Sequence, residues 1–189
     1  MSIETKTIYF EHRGPQNTKE TLQFAKERAE TLGISDIVVA SYTGETGVQA
    51  SQIFSGYNLF VVAGVTGFRE PNKVAMLEEN QAAIESAGGK VLFAGHAFGM
   101  TGRAVNRKFG TIQVDELIAH VLRLLSQGVK VGCEITCMAA DAGLIQAGEE
   151  VVAIGGTGKG ADTAIVVKAS NTHTFFDTKI LEIICKPRE

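Results

Sequence analysis

The sequence predicts a three-layer α/β fold in which a mostly parallel sheet lies between helices. Residues 37–40 (IVVA) and 59–63 (LFVVA) are unbroken apolar runs, the pattern typical of strands covered on both faces. Segments with apolar residues at helical spacing alternate with these runs along the chain. Such alternation implies right-handed crossovers and a mostly parallel sheet.

The composition favours one folded domain over residues 1–189. Hydrophobic residues make up 44% of the chain and charged residues 21%, and a domain of this size buries roughly 70% of the surface of its unfolded chain. The net charge of -3 argues against a nucleic-acid partner, because such binding needs many Lys and Arg residues. The N-terminus lacks a signal-peptide pattern, and the composition does not indicate a membrane span, so we expect a cytoplasmic protein with no membrane partner.

Strands and helices alternate regularly in the first half of the chain. Asn17 and Glu20 have the spacing of a capping box, which predicts a helix start, and Gly33 supplies a left-handed stop for that helix. A second helix ends near Ser55 and a third at the Gly88-Gly89 pair. The predicted strands of this half are residues 6–10, 34–40, 59–63 and 90–94.

The alternation of helices and strands is predicted to continue to Cys137. Residues 95–110 form the longest irregular stretch, and the helix with its apolar face at residues 117–125 ends at Gln127-Gly128. Residues 129–136 are predicted as a fourth parallel strand, in which Glu134 needs a partner if it is buried.

The last three strands form an antiparallel group. Residues 151–154 and 163–168 are separated only by a glycine-rich loop, which leaves no room for a crossover helix. The alternation in residues 180–185 indicates an edge strand that ends at Pro187, and such an exposed edge is consistent with a homo-oligomer.

The loop after the first core strand has the composition of a phosphate site. Hydroxyl side chains, a glycine and the N-terminus of the next helix all meet there, so neutral donors and the helix dipole would bind a terminal monophosphate. The alternative is that the Ser and Thr side chains only cap the helix. This pattern, Ser-x-Thr-Gly-x-Thr, resembles the phosphate loop of flavodoxin-type binders of flavin mononucleotide. The candidate residues are Ser41, Tyr42, Thr43, Gly44, Glu45 and Thr46.

Other loops at strand ends supply further candidate binding residues. After the second strand, backbone and an aromatic ring could lie beside a planar ligand, although the sequence favours a core position for Phe68. His96 follows the third strand without an obvious carboxylate partner, and a structural role is its alternative. The glycine-rich loop between the antiparallel strands could close over a ligand, with Lys159 supplying positive charge, or could be only a flexible connection. These candidates are Gly64, Thr66, Gly67, Phe68, His96, Gly156, Thr157, Gly158 and Lys159.

No set of residues has the spacing of a metal site or of a nucleophile with its base. Cys133 and Cys137 have three intervening residues rather than the two of a zinc knuckle. With Cys185 they are predicted to be reduced thiols, although Cys137 would be activated if it stood at a helix N-terminus. The sequence alone therefore leaves open whether the protein is an enzyme.

Several blocks of the chain resemble the stand-alone proteins related to the C-terminal α/β domain of pyruvate kinase. The blocks that carry this likeness are Asn17-Thr18, Thr21-Leu22, residues 38–41, 134–136, 138–141 and 160–164, and the ending at residues 175–177 and 186–188. The resemblance implies that residues 41–46 match the loop that holds an effector phosphate in pyruvate kinases. It also implies adjacent first and fourth strands, which would place Thr136 and Met138 across a crevice from residues 41–46. Pyruvate kinase activity is not expected, because phosphoryl transfer in that family belongs to a separate barrel.

Two ligand hypotheses follow from the sequence. The first is a flavin mononucleotide binder, in which any redox chemistry would be that of the flavin. The second is a regulatory or sensing module for a phosphorylated sugar or another metabolite. A third hypothesis is an interaction domain with a vestigial pocket.

Overall fold

The computed structural model describes residues 2–188, and within them seven strands form one mixed sheet. The strands are β1 Ile8–Phe10, β2 Asp36–Ala40, β3 Asn58–Ala63, β4 Lys90–Phe93, β5 Glu150–Gly155, β6 Thr163–Lys168 and β7 Lys179–Pro187. Their spatial order is β1-β7-β6-β5-β2-β3-β4. The α/β fold predicted from the sequence is confirmed.

Helices cover both faces of this sheet. They are α1 Thr18–Leu32, α2 Glu45–Ile53, α3 Glu78–Ser86, α4 Thr101–Phe109, α5 Val114–Arg123 and α6 Gln127–Asp141, with short 3₁₀ helices at Pro15–Asn17 and Thr172–Asp177. Apolar residues of α1, α2 and α3 pack on one face of the sheet, and those of α5 and α6 pack on the other. The core therefore has two parts, one on each side of the strands.

Strand pairing sets the edge at which loops can form a site. β2 pairs parallel with both β3 and β5, and β3 pairs parallel with β4. The carboxyl ends of these four strands therefore lie at one edge of the sheet, which we call the carboxyl edge. As predicted, β5 and β6 pair antiparallel. In parallel α/β sheets, ligands bind at such an edge.

The predicted fourth strand is wrong, because residues 129–136 belong to helix α6. Their sequence, VKVGCEIT, alternates apolar and polar residues as a half-buried strand does. The helix instead begins at the residues predicted to end the preceding one, where Ser126 Oγ accepts a hydrogen bond of 3.0 Å from Val129 N. Glycine lets this helix pack closely on the sheet, since a Cβ at Gly132 would lie 2.8 Å from Ile165 Cδ1. Nearly the whole helix is buried, so periodicity could not separate it from a strand.

Two further expectations are corrected by the structure. Residues 101–109, within the predicted irregular stretch, form α4. No residue of α4 is buried, so its sequence lacks the apolar face that would have predicted a helix packed on the core. β7 is not an edge strand, because β1 pairs with it in parallel through Ile8 and Cys185. The homo-oligomer expected from an exposed last strand therefore loses its basis.

The capping box predicted at the start of α1 does not form either. Asn17 is the N-cap residue, but its side chain donates to His12 O at 2.7 Å instead of capping the helix. At the other end, Gly33 has φ 68° and ends the helix as predicted. The Asn17 side chain thus ties the preceding segment to the helix.

Candidate ligand-binding site

Contacts within the protein occupy much of the predicted phosphate loop, residues 41–46. Ser41 is buried, and its Oγ accepts a hydrogen bond of 3.0 Å from Gly47 N in the first turn of α2. Its oxygen therefore satisfies the N-terminus of α2, which is the capping alternative, and its burial keeps the hydroxyl away from the surface. The other residues of the loop divide into the buried Gly44 and Thr46, the half-buried Tyr42 and Thr43, and the exposed Glu45.

The start of α3 covers the same loop. Thr43 O accepts hydrogen bonds from Leu77 N at 3.1 Å and from Asn80 Nδ2 at 2.9 Å. Gly44, with φ 98°, lies so close to α3 that a Cβ there would be 2.4 Å from Asn80 Cβ and 2.6 Å from Met76 Sδ. The mouth that the sequence analysis assigned to a phosphate is thus largely filled by protein.

Tyr42 joins this loop to the loop after β3. The Arg69 guanidinium carbon lies 5.1 Å from the centre of the Tyr42 ring, within the range of a cation–π contact. On Gly64, a Cβ would lie 2.4 Å from Tyr42 Cε2, so only glycine allows the ring to rest there. The loop that had no cation in its own sequence therefore has an arginine beside it.

Phe68 and His96, both predicted from sequence, come together at the carboxyl edge. Their ring centres are 5.1 Å apart, and the guanidinium carbon of Arg103 lies 5.3 Å from the centre of the Phe68 ring. Arg103 Nε donates a hydrogen bond of 3.1 Å to Gly99 O. Phe68 is half-buried, so the core position that the sequence favoured for it is wrong. Thr66 and the neighbouring glycine of that loop are exposed.

A buried ionic network lies beneath these rings. Glu134 Oε2 contacts Lys130 Nζ and lies 3.6 Å from His96 Nδ1, while Oε1 accepts a hydrogen bond of 3.1 Å from Phe98 N. His96 thus has the carboxylate partner that could not be seen in the sequence. The side chains of Lys130 and Glu134 are 6% and 4% exposed, so this pair connects α6 to the β4–α4 loop out of contact with solvent.

The surroundings of Glu134 keep it ionised. Burial alone would raise the pKa of Glu134, but the interaction with His96 and the charge of Lys130 outweigh burial and lower that pKa to about 2. For Lys130 burial is the largest effect and lowers its pKa, although Glu134 opposes that shift. The charge of the carboxylate is consequently offset within the protein by Lys130.

His96 also carries an unsatisfied polar atom. Its Nε2 is inaccessible to water and has no hydrogen-bond partner among the described residues. A buried polar atom without a partner costs on the order of 1–3 kcal/mol. A ligand group that reached this atom and formed a hydrogen bond with it would remove that cost.

Thr136 and Met138 do not belong to this site. Both are buried in α6, where Thr136 Oγ1 donates to Gly132 O at 2.8 Å. The start of α6 packs at the carboxyl end of β5, whereas Asp141 at its last turn accepts a hydrogen bond from Thr172 N beyond the end of β6. Since β5 and β6 are antiparallel, the C-terminal half of α6 lies toward the opposite edge of the sheet. The two-sided crevice expected from adjacent first and fourth strands is therefore wrong.

The glycine-rich loop of residues 156–162 packs against the start of α1. Asp162 Oδ2 accepts hydrogen bonds from Gly14 N at 3.1 Å and from Thr157 N at 3.2 Å. A Cβ on Gly160 would lie 2.4 Å from Thr18 Oγ1. Gly156 is half-buried, whereas Gly158 and Lys159 are exposed. These contacts hold the loop to the segment that begins α1 and do not connect it with Arg69 or Arg103.

A crevice of about 430 Å³ lies between α4 and α5. Phe98, Ile118 and Phe175 make its walls mainly apolar, and Asp115 is the one carboxylate among its lining residues. A ligand with a negative charge is therefore not favoured there.

The sequence analysis missed Arg69, Arg103 and Lys130. Each arginine lies in or just after a loop at a strand end, but nothing in its local sequence shows which ring it contacts. The i,i+4 spacing of Lys130 and Glu134 is a signal of an ion pair only once residues 127–141 are known to be a helix.

Other kinds of site are not found in residues 2–188. No three His, Cys, Asp or Glu side chains of this part of the chain stand close enough together to hold a metal ion. Within the same range, none of the helices has the length and apolar character needed to cross a membrane. Cys137 lies inside α6, and burial raises the pKa of its thiol to about 11, so the condition for its activation is not met.

Comparison with known proteins identifies the family. Residues 19–167 match the family model described as the α/β domain of pyruvate kinase. Because the match covers more than half of the chain, this protein belongs to the pyruvate kinase α/β domain family. The family expected from the sequence is therefore confirmed.

Solved structures similar to this chain include two crystal structures of pyruvate kinase from Cryptosporidium parvum. Each is 14% identical to this chain, and each match covers 81% of this chain. The TM-scores are 0.40 and 0.39. The chain spans 23% and 22% of the length of those two proteins.

Proposed function

We propose that this protein is a non-catalytic binding domain for a small molecule that carries a phosphate group. The ligand would lie at the carboxyl edge, against Arg69, Arg103 and His96. The observation that carries the proposal is the buried, unpartnered Nε2 of His96 beside Phe68, whose ring also faces the Arg103 guanidinium, with Arg69 the next residue along the chain. A cytoplasmic location and the lack of a nucleic-acid partner stay predictions from composition.

The positive charge of the two arginines supports a phosphate group as the part of the ligand that binds there. The hydrogen bond that Arg103 makes within the described residues uses Nε, so its two terminal nitrogens remain as donors. Arg69, in the loop after β3, is exposed to solvent. Guanidinium groups match the geometry of phosphate oxygens and form charge-assisted hydrogen bonds with them. The Glu134 carboxylate beside His96 already has Lys130 as its counter-ion.

The aromatic rings beside the arginines limit which ligands could stack there. Tyr42 has Arg69 near its ring and Gly64 against its edge, and Phe68 has Arg103 and His96. Arg69 already lies over one face of Tyr42 and Arg103 over one face of Phe68, so less ring surface is left for the isoalloxazine ring of flavin mononucleotide, whereas a sugar phosphate needs no stacking. We therefore favour a phosphorylated sugar or a similar metabolite over flavin mononucleotide as the ligand. Binding of flavin mononucleotide stays a prediction.

A thermal-shift experiment tests this proposal. Ligands that bind only the native state raise its stability by mass action, by roughly 2.7 kcal/mol at a concentration of one hundred times the dissociation constant. We expect sugar phosphates to raise the melting temperature more than the corresponding free sugars, with flavin mononucleotide as the competing probe.

Variants on α4 provide the matched comparison. Arg103→Met should weaken phosphate binding by roughly tenfold or more, the value of one charge-assisted hydrogen bond. Arg107→Met removes the same charge from an exposed position one turn further along α4 and should leave binding close to that of the parent protein. If no phosphorylated compound stabilises the protein, or if both variants bind equally well, the proposed function is wrong.

A further inference from the structure

The two ring nitrogens of His96 have different surroundings. Nδ1 lies 3.6 Å from Oε2 of Glu134, whose side chain is 4% exposed. Nε2 is closed to water and has no hydrogen-bond partner among residues 2–188. The His96 side chain as a whole is 27% exposed, so the ring lies between the buried carboxylate and the carboxyl edge. Nε2 is therefore the ring nitrogen that remains for a ligand.

The charge of Glu134 decides which nitrogen carries the proton of a neutral His96. Glu134 is ionised, because the interaction with His96 and the charge of Lys130 lower its pKa to about 2. An ionised carboxylate is only an acceptor, so it attracts an N–H group at Nδ1 and repels a lone pair at that position. Neutral His96 consequently carries its proton on Nδ1, and Nε2 presents a lone pair.

The cations near His96 do not favour a second proton on its ring. Lys130 of α6 contacts Oε2 of Glu134 and offsets the charge of that carboxylate. Arg103 of α4 has its guanidinium carbon 5.3 Å from the centre of the Phe68 ring, which in turn lies beside His96. A positively charged His96 would stand near both cations, and like charges repel. The neutral form therefore fits the charged groups around it.

A lone pair on Nε2 selects the chemical group that can bind there. Neutral imidazole accepts a hydrogen bond at its unprotonated nitrogen and cannot donate one from it. A fully ionised phosphate has only acceptor oxygens, so it suits the guanidinium groups but not Nε2. A hydroxyl group supplies the missing donor. We propose that the ligand whose phosphate lies against the arginines, as the proposed function requires, also carries a hydroxyl group that donates a hydrogen bond to Nε2 of His96. The ligand class is then a polyol or sugar phosphate.

A side chain next to His96 has to move before the hydroxyl group reaches Nε2, because that atom is closed to water. Phe68 is well placed to do so. Its ring centre is 5.1 Å from that of His96, and it lies in the segment of residues 64–77, which contains no helix or strand. The same movement would take the Phe68 ring away from Arg103 and leave that guanidinium group to the phosphate.

Nitrogen-15 NMR of the histidine rings tests the proton position in the ligand-free protein. At pH 8 we expect the Nδ1 signal of His96 to be that of a protonated ring nitrogen and the Nε2 signal to be that of an unprotonated one. The signals that disappear in His96→Leu assign the residue. A proton on Nε2 at this pH would overturn the inference.

Calorimetry with two phosphate esters tests the hydroxyl group. Glycerol 3-phosphate carries hydroxyl groups, whereas propyl phosphate has the same number of carbons and no hydroxyl. At pH 8 both phosphates are fully ionised, since their second pKa is about 6. We expect the parent protein to bind glycerol 3-phosphate roughly three- to tenfold more tightly, the value of one hydrogen bond between neutral groups. His96→Leu should bind the two esters equally. His120→Leu, which changes an exposed histidine on α5, should keep the preference.

The outcomes separate this inference from the proposed function. Equal binding of the two esters by the parent protein, or a preference that survives His96→Leu, would overturn the role of His96 and leave the phosphate site intact. Binding of neither ester at millimolar concentration would contradict the phosphate site itself, and the inference would fail with it.

Discussion

Replacing Glu134 by glutamine should strongly destabilise the protein, although the change removes only one charge. Glu134 Oε1 accepts a hydrogen bond from Phe98 N, and the amide oxygen of glutamine can keep that bond. The lost partner is the carboxylate oxygen that contacts Lys130 Nζ. The substitution therefore leaves a buried ammonium group without its counter-ion.

The magnitude follows from burial of the pair. Both side chains are less than 10% exposed, and removing one partner of such a pair costs about 3–5 kcal/mol. For a protein of this size, that loss lowers the melting temperature by roughly 6–20 °C. Burial already lowers the pKa of Lys130, so the variant should recover part of its stability at alkaline pH, where the lysine can lose its proton.

Chemical denaturation at neutral pH, followed by circular dichroism, measures this loss. Glu70→Gln is the matched control, because Glu70 pairs with Lys73 at 2.6 Å on the surface, where both side chains are more than 60% exposed. Exposed pairs contribute between 0 and about 1 kcal/mol. If Glu134→Gln costs no more than Glu70→Gln, the network beneath His96 does not stabilise the fold and our account of it is wrong.

Three further outcomes follow from the structure. Gly128→Ala should cost about 1–3 kcal/mol in urea unfolding, because the new Cβ would lie 2.1 Å from Thr163 Oγ1; an unchanged midpoint would contradict that packing. The pKa of Glu134 is about 2 in the folded protein, below its ordinary value of 4.5, so its contribution is present above pH 4.5 and is lost as the pH falls towards 2. This loss amounts to about 3 kcal/mol, and it should be absent from the acid titration of Glu134→Gln. Burial raises the pKa of the three cysteine thiols to about 11 or 12, so none should react with a thiol reagent at mildly alkaline pH until the protein unfolds, and rapid native labelling would refute this.

The strands of the parallel core could be predicted because their signal is local. The apolar runs at residues 37–40 and 59–63 lie within β2 and β3, and Gly33 ends the helix before the first of them as predicted. Helix α6 could not be predicted in the same way. Its residues are buried on nearly every side, so the polar face that distinguishes an amphipathic helix from a strand is missing.

The candidate site was predicted only in part, for a different reason. Phe68 and His96 lie at strand ends, where the fold class alone places ligand contacts, and the structure brings their rings together. The hydroxyl groups near Ser41 indicated a phosphate, but hydrogen bonding within the protein uses the Ser41 side chain. Arg69 and Arg103 depend on contacts between distant parts of the chain, and no local pattern encodes such contacts.

A crystal structure of the protein with a bound sugar phosphate would test the central claim most directly. We predict that the phosphate oxygens lie about 3 Å from the guanidinium nitrogens of Arg69 or Arg103, and that one ligand oxygen reaches Nε2 of His96. A phosphate bound instead at the N-terminus of α2 or beside Lys159, with both arginines still on their rings, would contradict the account.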